Sequence, residues 1–191
     1  MGKILVFIYD DMADFEITFV THLLGSDSGK EIITIGYDDI LIKSKSGVVY
    51  KPTKLIKDVL TEDVEGLIIP GGWNGEIRPE LIELIQSLNA KGKLLAAICA
   101  GPRFLAKAGV LDNAKYTTSI VNWTEKHEEQ FMESDPFPRQ NFISDRVVRD
   151  GNIITAKSNA FIDFSVEVCD WFGLFDDEDD KSNFVKSIVG V

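Results

Sequence analysis

Residues 94–109 read LLAAICAGPRFLAKAG. The first part of this stretch is an apolar run that ends at Cys99, and a helical pattern follows from Pro102, because proline suits the first turn of a helix. A continuous apolar run is typical of a strand that is covered on both faces, as strands of parallel sheets are. The stretch therefore predicts a buried strand, a tight turn that carries a thiol, and a helix.

The same alternation extends towards the N-terminus. Apolar runs predict further strands, and apolar residues at helical spacing predict helices between them. The predicted strands are 3–9, 31–37, 66–72 and 93–99, the predicted helices are 10–25, 79–92 and 102–109, and residues 40–52 form a small hairpin. Because strands and helices alternate, the chain predicts an α/β fold with a mainly parallel sheet and helices on both faces.

The C-terminal part is more mixed. Its strongest signal is Asp150-Gly151, which predicts a hairpin turn between two apolar runs. The other predicted features are a short strand at 116–121, a polar helix at 122–133, an amphipathic closing helix at 160–175, a solvated acidic loop at 176–180 and a short helix or tail at 183–191. With neither an internal repeat nor a linker in 191 residues, we expect one domain, residues 1–191.

Charge restricts the class of partner. The chain carries a net charge of −11 and has no tract rich in lysine or arginine. Phosphate backbones and anionic membrane surfaces are bound by basic patches, so we expect neither nucleic acid nor a membrane as a partner. The N-terminal apolar run is too short for a signal segment or a membrane span, and we expect a cytoplasmic protein.

Cysteine and histidine are scarce. Two cysteines, Cys99 and Cys169, do not make a disulfide framework in a chain of this size, and two histidines, His22 and His127, do not suffice for a structural zinc site. We expect no metal and no cofactor. Cys169 lies among aromatic residues of the closing helix, which favours a structural role. His127 lies in a polar stretch that is typical of a solvated helix face.

The thiol of Cys99 has two interpretations. Small residues stand two before and two after it, at Ala97 and Gly101, which is the pattern of a nucleophile elbow. A thiol presented at a helix N-terminus is favoured as thiolate, so its pKa is expected to be low. The alternative is a small apolar side chain that fills the core.

Two further features accompany the thiol. Glu16 falls in line with apolar residues of the first predicted helix, so it is either a buried, protonated carboxyl or a first-turn residue that complements the helix dipole. Gly71 and Gly72 follow Pro70 at the end of a predicted strand. Their N–H groups could hold an oxyanion, or the three residues could form a plain tight turn.

These residues together resemble the DJ-1/PfpI superfamily. The likeness rests on AAICAGP (96–102), DFE (14–16), IIPGG (68–72) and RVVRDGNIITA (146–156), in the same order along the chain. The resemblance implies a flavodoxin-like three-layer sandwich, related to the class I glutamine amidotransferase domain, and a homodimer. It implies Cys99 as the nucleophile, Glu16 as the carboxyl that hydrogen-bonds it, and Gly72 and Ala100 as backbone donors to the thiolate.

The chain departs from the superfamily at its histidines. Protease-like members place His directly after the cysteine, where this chain has Ala100, and others place it after a TT pair, where this chain has Ser119. A thiol protease needs a base and an acid, so the departure counts against peptide hydrolysis. Ser119, Trp73 and Asp14 are candidate pocket residues.

Members of the superfamily are described as proteases, glyoxalases or deglycases, oxidative-stress proteins and chaperones. For this chain the resemblance implies first a cysteine-dependent enzyme that acts on small carbonyl compounds. The alternatives are a stress protein whose thiol is oxidised without turnover, and a cysteine peptidase or holdase chaperone.

Overall fold

The computed structural model describes residues 2–190. Its strands are β1 Lys3–Phe7, β2 Glu31–Gly36, β3 Ile42–Lys43, β4 Val49–Tyr50, β5 Lys54–Leu55, β6 Gly66–Ile69, β7 Leu94–Ile98, β8 Val147–Asp150 and β9 Ile153–Ala156. Its α-helices are α1 Phe15–Ser26, α2 Ile56–Val59, α3 Pro79–Ala90, α4 Pro102–Lys107, α5 Glu125–Phe131, α6 Phe161–Trp171 and α7 Glu178–Val189. Two short 3-10 turns span Arg139–Asn141 and Ser158–Ala160.

Seven strands form one sheet in the order β5-β2-β1-β6-β7-β9-β8. Every neighbouring pair is parallel except β8–β9, which forms the antiparallel edge. The residues of β6 and β7 are all buried, which explains why those strands read as continuous apolar runs. The two-stranded sheet β3–β4 is the predicted small hairpin.

Helices cover both faces of the sheet. One group contains α1, α6 and α7, in which α6 contacts its two helical neighbours as well as β7 and β9. The other contains α2, α3 and α4, in which α3 contacts the other two helices as well as β6 and β7. The predicted α/β fold, a flavodoxin-like sandwich with a mainly parallel sheet and a small hairpin, is therefore confirmed.

Three predictions for individual elements were wrong. Residues 116–121 are not a strand; only Tyr116 makes an isolated bridge, to Phe142, and the chain that follows bonds to side chains and to the Cys99 turn. The acidic run 176–180 is solvent-exposed as predicted but is a loop only at 176–177. Its last three residues form the first turn of α7, which Asp177 caps by accepting the N–H of Asp180. Acidic residues suit a helix N-terminus because they face its positive end.

The third concerns the C-terminal hairpin, whose existence was predicted correctly. Its turn residues are Gly151 and Asn152, because Asp150 itself still pairs with Ile153. The pattern also missed β5 and α2, which are too short to show a period. Within residues 2–190, no helix has both the length and the apolar character needed to cross a membrane.

Candidate active site

Cys99 follows the last residue of β7 in a strained backbone conformation. Its φ angle is 63°, in the left-handed region that residues with a side chain rarely adopt. Such strain persists only where the surrounding structure enforces it. The thiol side chain is half-buried at the carboxyl end of the sheet, where ligands of open parallel sheets collect.

Three hydrogen bonds hold the backbone of Cys99. Its N–H donates to the carbonyl oxygen of Ala156 on β9 at 2.8 Å. Its carbonyl oxygen accepts the N–H of Ser119 at 3.0 Å and the hydroxyl of Thr118 at 2.6 Å. These bonds are the reason that 116–121 runs alongside the turn and not in the sheet.

Gly101 makes the turn possible. A β-carbon at this position would lie 2.7 Å from the carbonyl oxygen of Ile69, 2.8 Å from that of Ile98 and 2.9 Å from that of Pro70. All three neighbours are backbone atoms, so none can move aside cheaply. The predicted requirement for a small residue two positions after Cys99 therefore has a direct steric cause.

Glu16 lies beside the thiol. Its side chain is 1% exposed, which excludes the interpretation as a surface residue of the first turn. One carboxyl oxygen, Oε2, accepts the N–H of Gly71 at 2.7 Å, and the other, Oε1, is buried without a hydrogen-bond partner among residues 2–190. Burial raises the pKa of Glu16 to about 7, against the opposing effect of the Gly71 N–H.

Gly71 is the spacer between the two groups. A β-carbon there would lie 2.8 Å from Sγ of Cys99 and 2.9 Å from Oε2 of Glu16. Because any other residue would collide with both groups, glycine is required for the thiol and the carboxyl to lie on either side of this position. Its N–H is committed to Glu16. Gly71 is therefore not free to donate to an oxyanion, contrary to the expectation from sequence.

The electrostatics of the thiol also differ from expectation. Burial, and then the nearby charge of Glu16, raise the pKa of Cys99 to about 12, while the hydroxyl of Ser119 and the N–H of Ala100 oppose the rise. The predicted low pKa is therefore not found, because burial outweighs the lowering that the N–H of Ala100 provides just before α4. Protonation of Glu16 removes its repulsion, so the thiolate is favoured when its proton resides on Glu16.

A cavity of about 230 Å³ opens at the thiol. Its walls are Gly72, Trp73, Cys99, Ala100, Ser119, Ile120, His127, Gln130 and Phe131. The predicted pocket residues Ser119 and Trp73 therefore do line it. His127 was expected on a solvated helix face but lies in this wall, because α5 turns one side towards the Cys99 turn.

Asp14 is not part of the cavity wall. It is buried just before α1 and accepts hydrogen bonds from the hydroxyl of Ser46 at 2.7 Å and that of Tyr50 at 3.0 Å. Burial by itself would raise the pKa of Asp14, but the hydroxyl donors outweigh it and the pKa is lowered. Asp14 thus fastens the β3–β4 hairpin to the start of α1.

A buried ion pair supports the wall that contains α5. The Arg103 side chain is 1% exposed and donates to Glu133 at 2.6 Å and to the carbonyl oxygen of Gly75 at 3.0 Å. Gln130 on α5 donates to the carbonyl oxygen of Trp73 at 3.2 Å. These contacts join α4, α5 and the loop after β6 into one wall. Within residues 2–190, no cluster of His, Cys, Asp or Glu has the composition of a metal site.

The fold and this arrangement define a class of α/β proteins that carry a thiol at a strand-to-helix turn beside a buried glutamate. Residues 2–170 match the DJ-1/PfpI family, and the chain belongs to that family.

Relatives of known name have limited identity. The chain is 28% identical over 167 residues to the uncharacterized protease YdeA of Bacillus subtilis, covering 86% of this chain and 80% of that protein. It is 29% identical over 121 residues to the deglycase PfpI of Pyrococcus furiosus, covering 62% of this chain and 72% of that protein.

Solved structures agree with the fold. The DJ-1 superfamily protein Atu0886 of Agrobacterium tumefaciens has a TM-score of 0.81 at 25% identity, covering 100% of this chain and 98% of that one. Oxidized DJ-1 of Toxoplasma gondii has a TM-score of 0.78 at 23% identity, covering 99% and 98%. The second likeness concerns the fold alone.

Proposed function

We propose that the protein is an enzyme in which the thiol of Cys99 adds to small carbonyl compounds, with Glu16 as the group that receives and returns the proton. The observation that carries this proposal is the buried carboxyl of Glu16, whose Oε1 is unpartnered and whose pKa is about 7, beside a thiol on a strained turn. A pKa near neutrality suits a group that must both take and give a proton.

The addition step uses groups that are present in the site. Sγ of Cys99 forms a bond to the carbonyl carbon, the π electrons move to the carbonyl oxygen, and the thiol proton passes to Glu16. The backbone N–H groups of Ala100 and Gly72, which line the cavity, are the candidate donors to the developing oxyanion. Glu16 then returns its proton to the oxygen, which leaves a hemithioacetal.

A 2-oxoaldehyde would complete a full cycle without an external oxidant. The aldehyde hydrogen of the hemithioacetal leaves as a proton to Glu16 and is delivered to the neighbouring carbon, while the hydroxyl proton moves from the attacked oxygen to the oxygen on that carbon. The product is a thioester of a 2-hydroxy acid. Water then attacks the thioester, and the thiol and the hydroxy acid are released. Water is the only co-reactant, and atoms and electrons balance.

Small electrophiles suit the site better than peptides. The cavity of about 230 Å³ fits a compound of a few heavy atoms, and no histidine directly follows Cys99 to protonate a leaving amine. The name deglycase, borne by the Pyrococcus furiosus relative, agrees with chemistry on sugar-derived carbonyl compounds. The name protease, borne by the Bacillus subtilis relative, is the less favoured assignment for this chain.

The first experiment measures turnover of methylglyoxal, the simplest stable 2-oxoaldehyde, together with the pH profile of Cys99 alkylation by iodoacetamide. Mass spectrometry separates Cys99 from the buried Cys169. We expect Cys99→Ser to abolish turnover, and Glu16→Gln to lower it about a hundredfold and to move the alkylation profile. Wild-type activity that survives Cys99→Ser would overturn the proposal.

Oxidation of Cys99 without turnover is the second candidate. It is favoured by the hydroxyl of Ser119 and the N–H of Ala100, which face the thiol and would donate to the oxygens of a sulfinate. Stoichiometric conversion of Cys99 by peroxide, with no turnover of methylglyoxal, would select this function over the first.

A homodimer in the cytoplasm belongs to the same proposal. Ile40, Leu41, Val48 and Val49 expose apolar side chains on and beside the β3–β4 hairpin, which is a feature of association surfaces. Both cysteines are free thiols, as in reducing compartments. Sedimentation equilibrium tests the dimer.

A further inference from the structure

His127 completes an unusual cap at the start of α5. The backbone N–H of Thr124 donates to Nδ1 of His127 at 3.1 Å, and the hydroxyl of Thr124 lies 2.9 Å from the same nitrogen. The geometry is that of a capping box, with histidine in the place where glutamate or glutamine usually stands.

This cap selects one tautomer of the imidazole. A ring nitrogen that accepts a backbone N–H cannot carry its own proton, so in the neutral ring of His127 the proton resides on Nε2. Nε2 makes no hydrogen bond to residues 2–190. The side chain therefore offers a free donor and not a base.

The ring is also held in orientation. It lies parallel to Phe131, with an interplanar angle of 2° and centroids 6.5 Å apart, and 5.4 Å from the ring of Trp123. His127 and Phe131 line the cavity that contains Cys99. With Nδ1 turned to the cap, Nε2 is the polar atom that His127 can direct at a ligand in that cavity.

We propose that His127 is a specificity-determining residue, whose Nε2–H binds the second carbonyl oxygen of a 1,2-dicarbonyl compound. This inference rests on the proposed addition of Cys99 to carbonyl groups. In the proposed addition, the oxygen of the attacked carbonyl accepts from the backbone N–H groups of Ala100 and Gly72 next to the thiol. The Nε2–H of His127 on α5 is then available to an oxygen on the neighbouring carbon. The site would thus prefer 2-oxoaldehydes to simple aldehydes.

The test compares two small carbonyl compounds that differ in the second oxygen. Methylglyoxal and propanal each compete with iodoacetamide for Cys99, and the concentration that halves the alkylation rate measures reversible addition. The variants are His127→Gln, which retains an acceptor for the capping box, and Glu128→Gln, an exposed neighbour on the same helix.

We expect His127→Gln to weaken the binding of methylglyoxal about fivefold to tenfold, which corresponds to the net value of one hydrogen bond. The binding of propanal should be unchanged. The pH profile of alkylation should stay in place, because the proton of Cys99 goes to Glu16. Glu128→Gln should behave as wild type. Unchanged propanal binding also shows that the variant retains its fold.

Three results would overturn the inference. If His127→Gln weakened the binding of both compounds equally, His127 would have a general structural role. If it weakened the binding of neither, His127 would have no role in binding. A shifted alkylation profile would make His127 a base for the thiol. If neither compound protects Cys99 in the wild-type protein, the proposed function fails as well, and this is seen before any variant is made.

Discussion

The fold shifts the pKa values of two carboxyl groups at the start of α1 in opposite directions. Glu16 and Asp14 are both buried, yet the pKa of Glu16 is raised and that of Asp14 is lowered. Two causes differ. Glu16 is the more deeply buried, which raises its pKa. Asp14 is bonded by side-chain hydroxyls, which lower its pKa, whereas Oε1 of Glu16 has no partner within residues 2–190. Of these two residues, Asp14 therefore has a structural role, whereas Glu16 holds its proton to a higher pH.

The raised pKa of Glu16 makes stability depend on pH. The folded state keeps this proton up to a pKa of about 7, against an ordinary value of 4.5, so the stability that it contributes is complete below pH 4.5 and is lost as the pH rises through 7. The gap corresponds to about 3 kcal/mol. We expect the free energy of unfolding of Glu16→Gln, relative to wild type, to rise by up to that amount across this window.

Urea unfolding at a series of pH values measures the effect. The difference between the two proteins isolates Glu16 from the other titrating groups. A difference that stays constant from pH 4 to pH 8 would show that Glu16 titrates normally in the folded state.

Gly101 provides a steric prediction. Gly101→Ala places a β-carbon against three carbonyl oxygens at 2.7–2.9 Å, so the turn must open. We expect a loss of about 3 kcal/mol in the free energy of unfolding and loss of carbonyl addition at Cys99. The matched control is Gly25→Ala in α1, whose β-carbon meets only Ile32, at 3.6 Å; because alanine favours helix, we expect it to be neutral or slightly stabilising. Equal effects of the two changes would contradict the steric account.

The residues of the site differ in how far sequence could predict them. Local patterns marked Cys99 and Glu16 but left two interpretations of each open: small residues surround a strand end, and a carboxyl falls in an apolar helix stripe. The resemblance to the DJ-1/PfpI superfamily was needed to favour nucleophile and proton partner. His127 could not be placed in this way, because its stretch is polar and only tertiary packing decides which side of α5 meets the cavity. The one local signal was Thr124 three residues before it, a spacing that suits a capping box.

At the scale of elements, the wall of the cavity depends on a buried ion pair between Arg103 of α4 and Glu133, two residues after the end of α5. Loss of one partner leaves a buried charge, which typically costs about 3 kcal/mol or more. We expect Glu133→Gln to destabilise by about that amount, because it leaves the guanidinium of Arg103, which is 1% exposed, without its carboxylate. Arg103→Met should cost less, because Glu133 keeps its ion pair with Lys107 at 2.7 Å.

Chemical denaturation of both single variants and the double variant measures the coupling of Arg103 and Glu133. The double variant should lose clearly less than the sum of the single losses, because the removed groups pair with each other. Additive losses would place the stabilisation of Arg103 in its bond to Gly75 instead.

Element prediction succeeded where burial alone decides and failed where side chains compete with backbone pairing. The apolar runs of β1, β6 and β7 have no stable location other than a covered sheet. The residues after Tyr116 have strand-like composition, but the hydroxyl of Thr118 bonds to the Cys99 carbonyl and the N–H of Thr117 bonds to a threonine hydroxyl. The acidic run 176–180 is solvated as its charge predicts, but charge alone does not show that its last three residues begin α7.

The whole molecule acts on ligands through its charge. A net charge of −11 creates a negative potential that lowers the local concentration of anions at the cavity. We expect Cys99 to react about tenfold more slowly with iodoacetate than with iodoacetamide at low salt, after normalisation to a neutral cysteine amide. The difference between the two alkylation rates should become smaller at 0.5 M salt, because salt then screens charges that are more than a few ångströms apart.

Alkylation rates at several salt concentrations test this expectation. A normalised ratio that does not change with salt would mean that local groups, and not the charge of the whole molecule, set the potential at the thiol. A narrowing gap predicts that neutral carbonyl compounds are better substrates than carboxylated ones.

The three backbone hydrogen bonds of Cys99 also determine when, during synthesis, the thiol acquires its folded surroundings. Its partners come late in the chain: Thr118, Ser119 and, last, Ala156 on β9, which pairs with β7. Until β9 has left the ribosome, the N–H of Cys99 lacks its acceptor on Ala156, and the left-handed turn lacks one of the three bonds that hold it. Contacts so distant in sequence form slowly, so the surroundings that raise the pKa of Cys99 should be completed in the final phase of folding. Until then the thiol should titrate as an ordinary cysteine, and its coupling to Glu16 should develop only when the sheet closes around it.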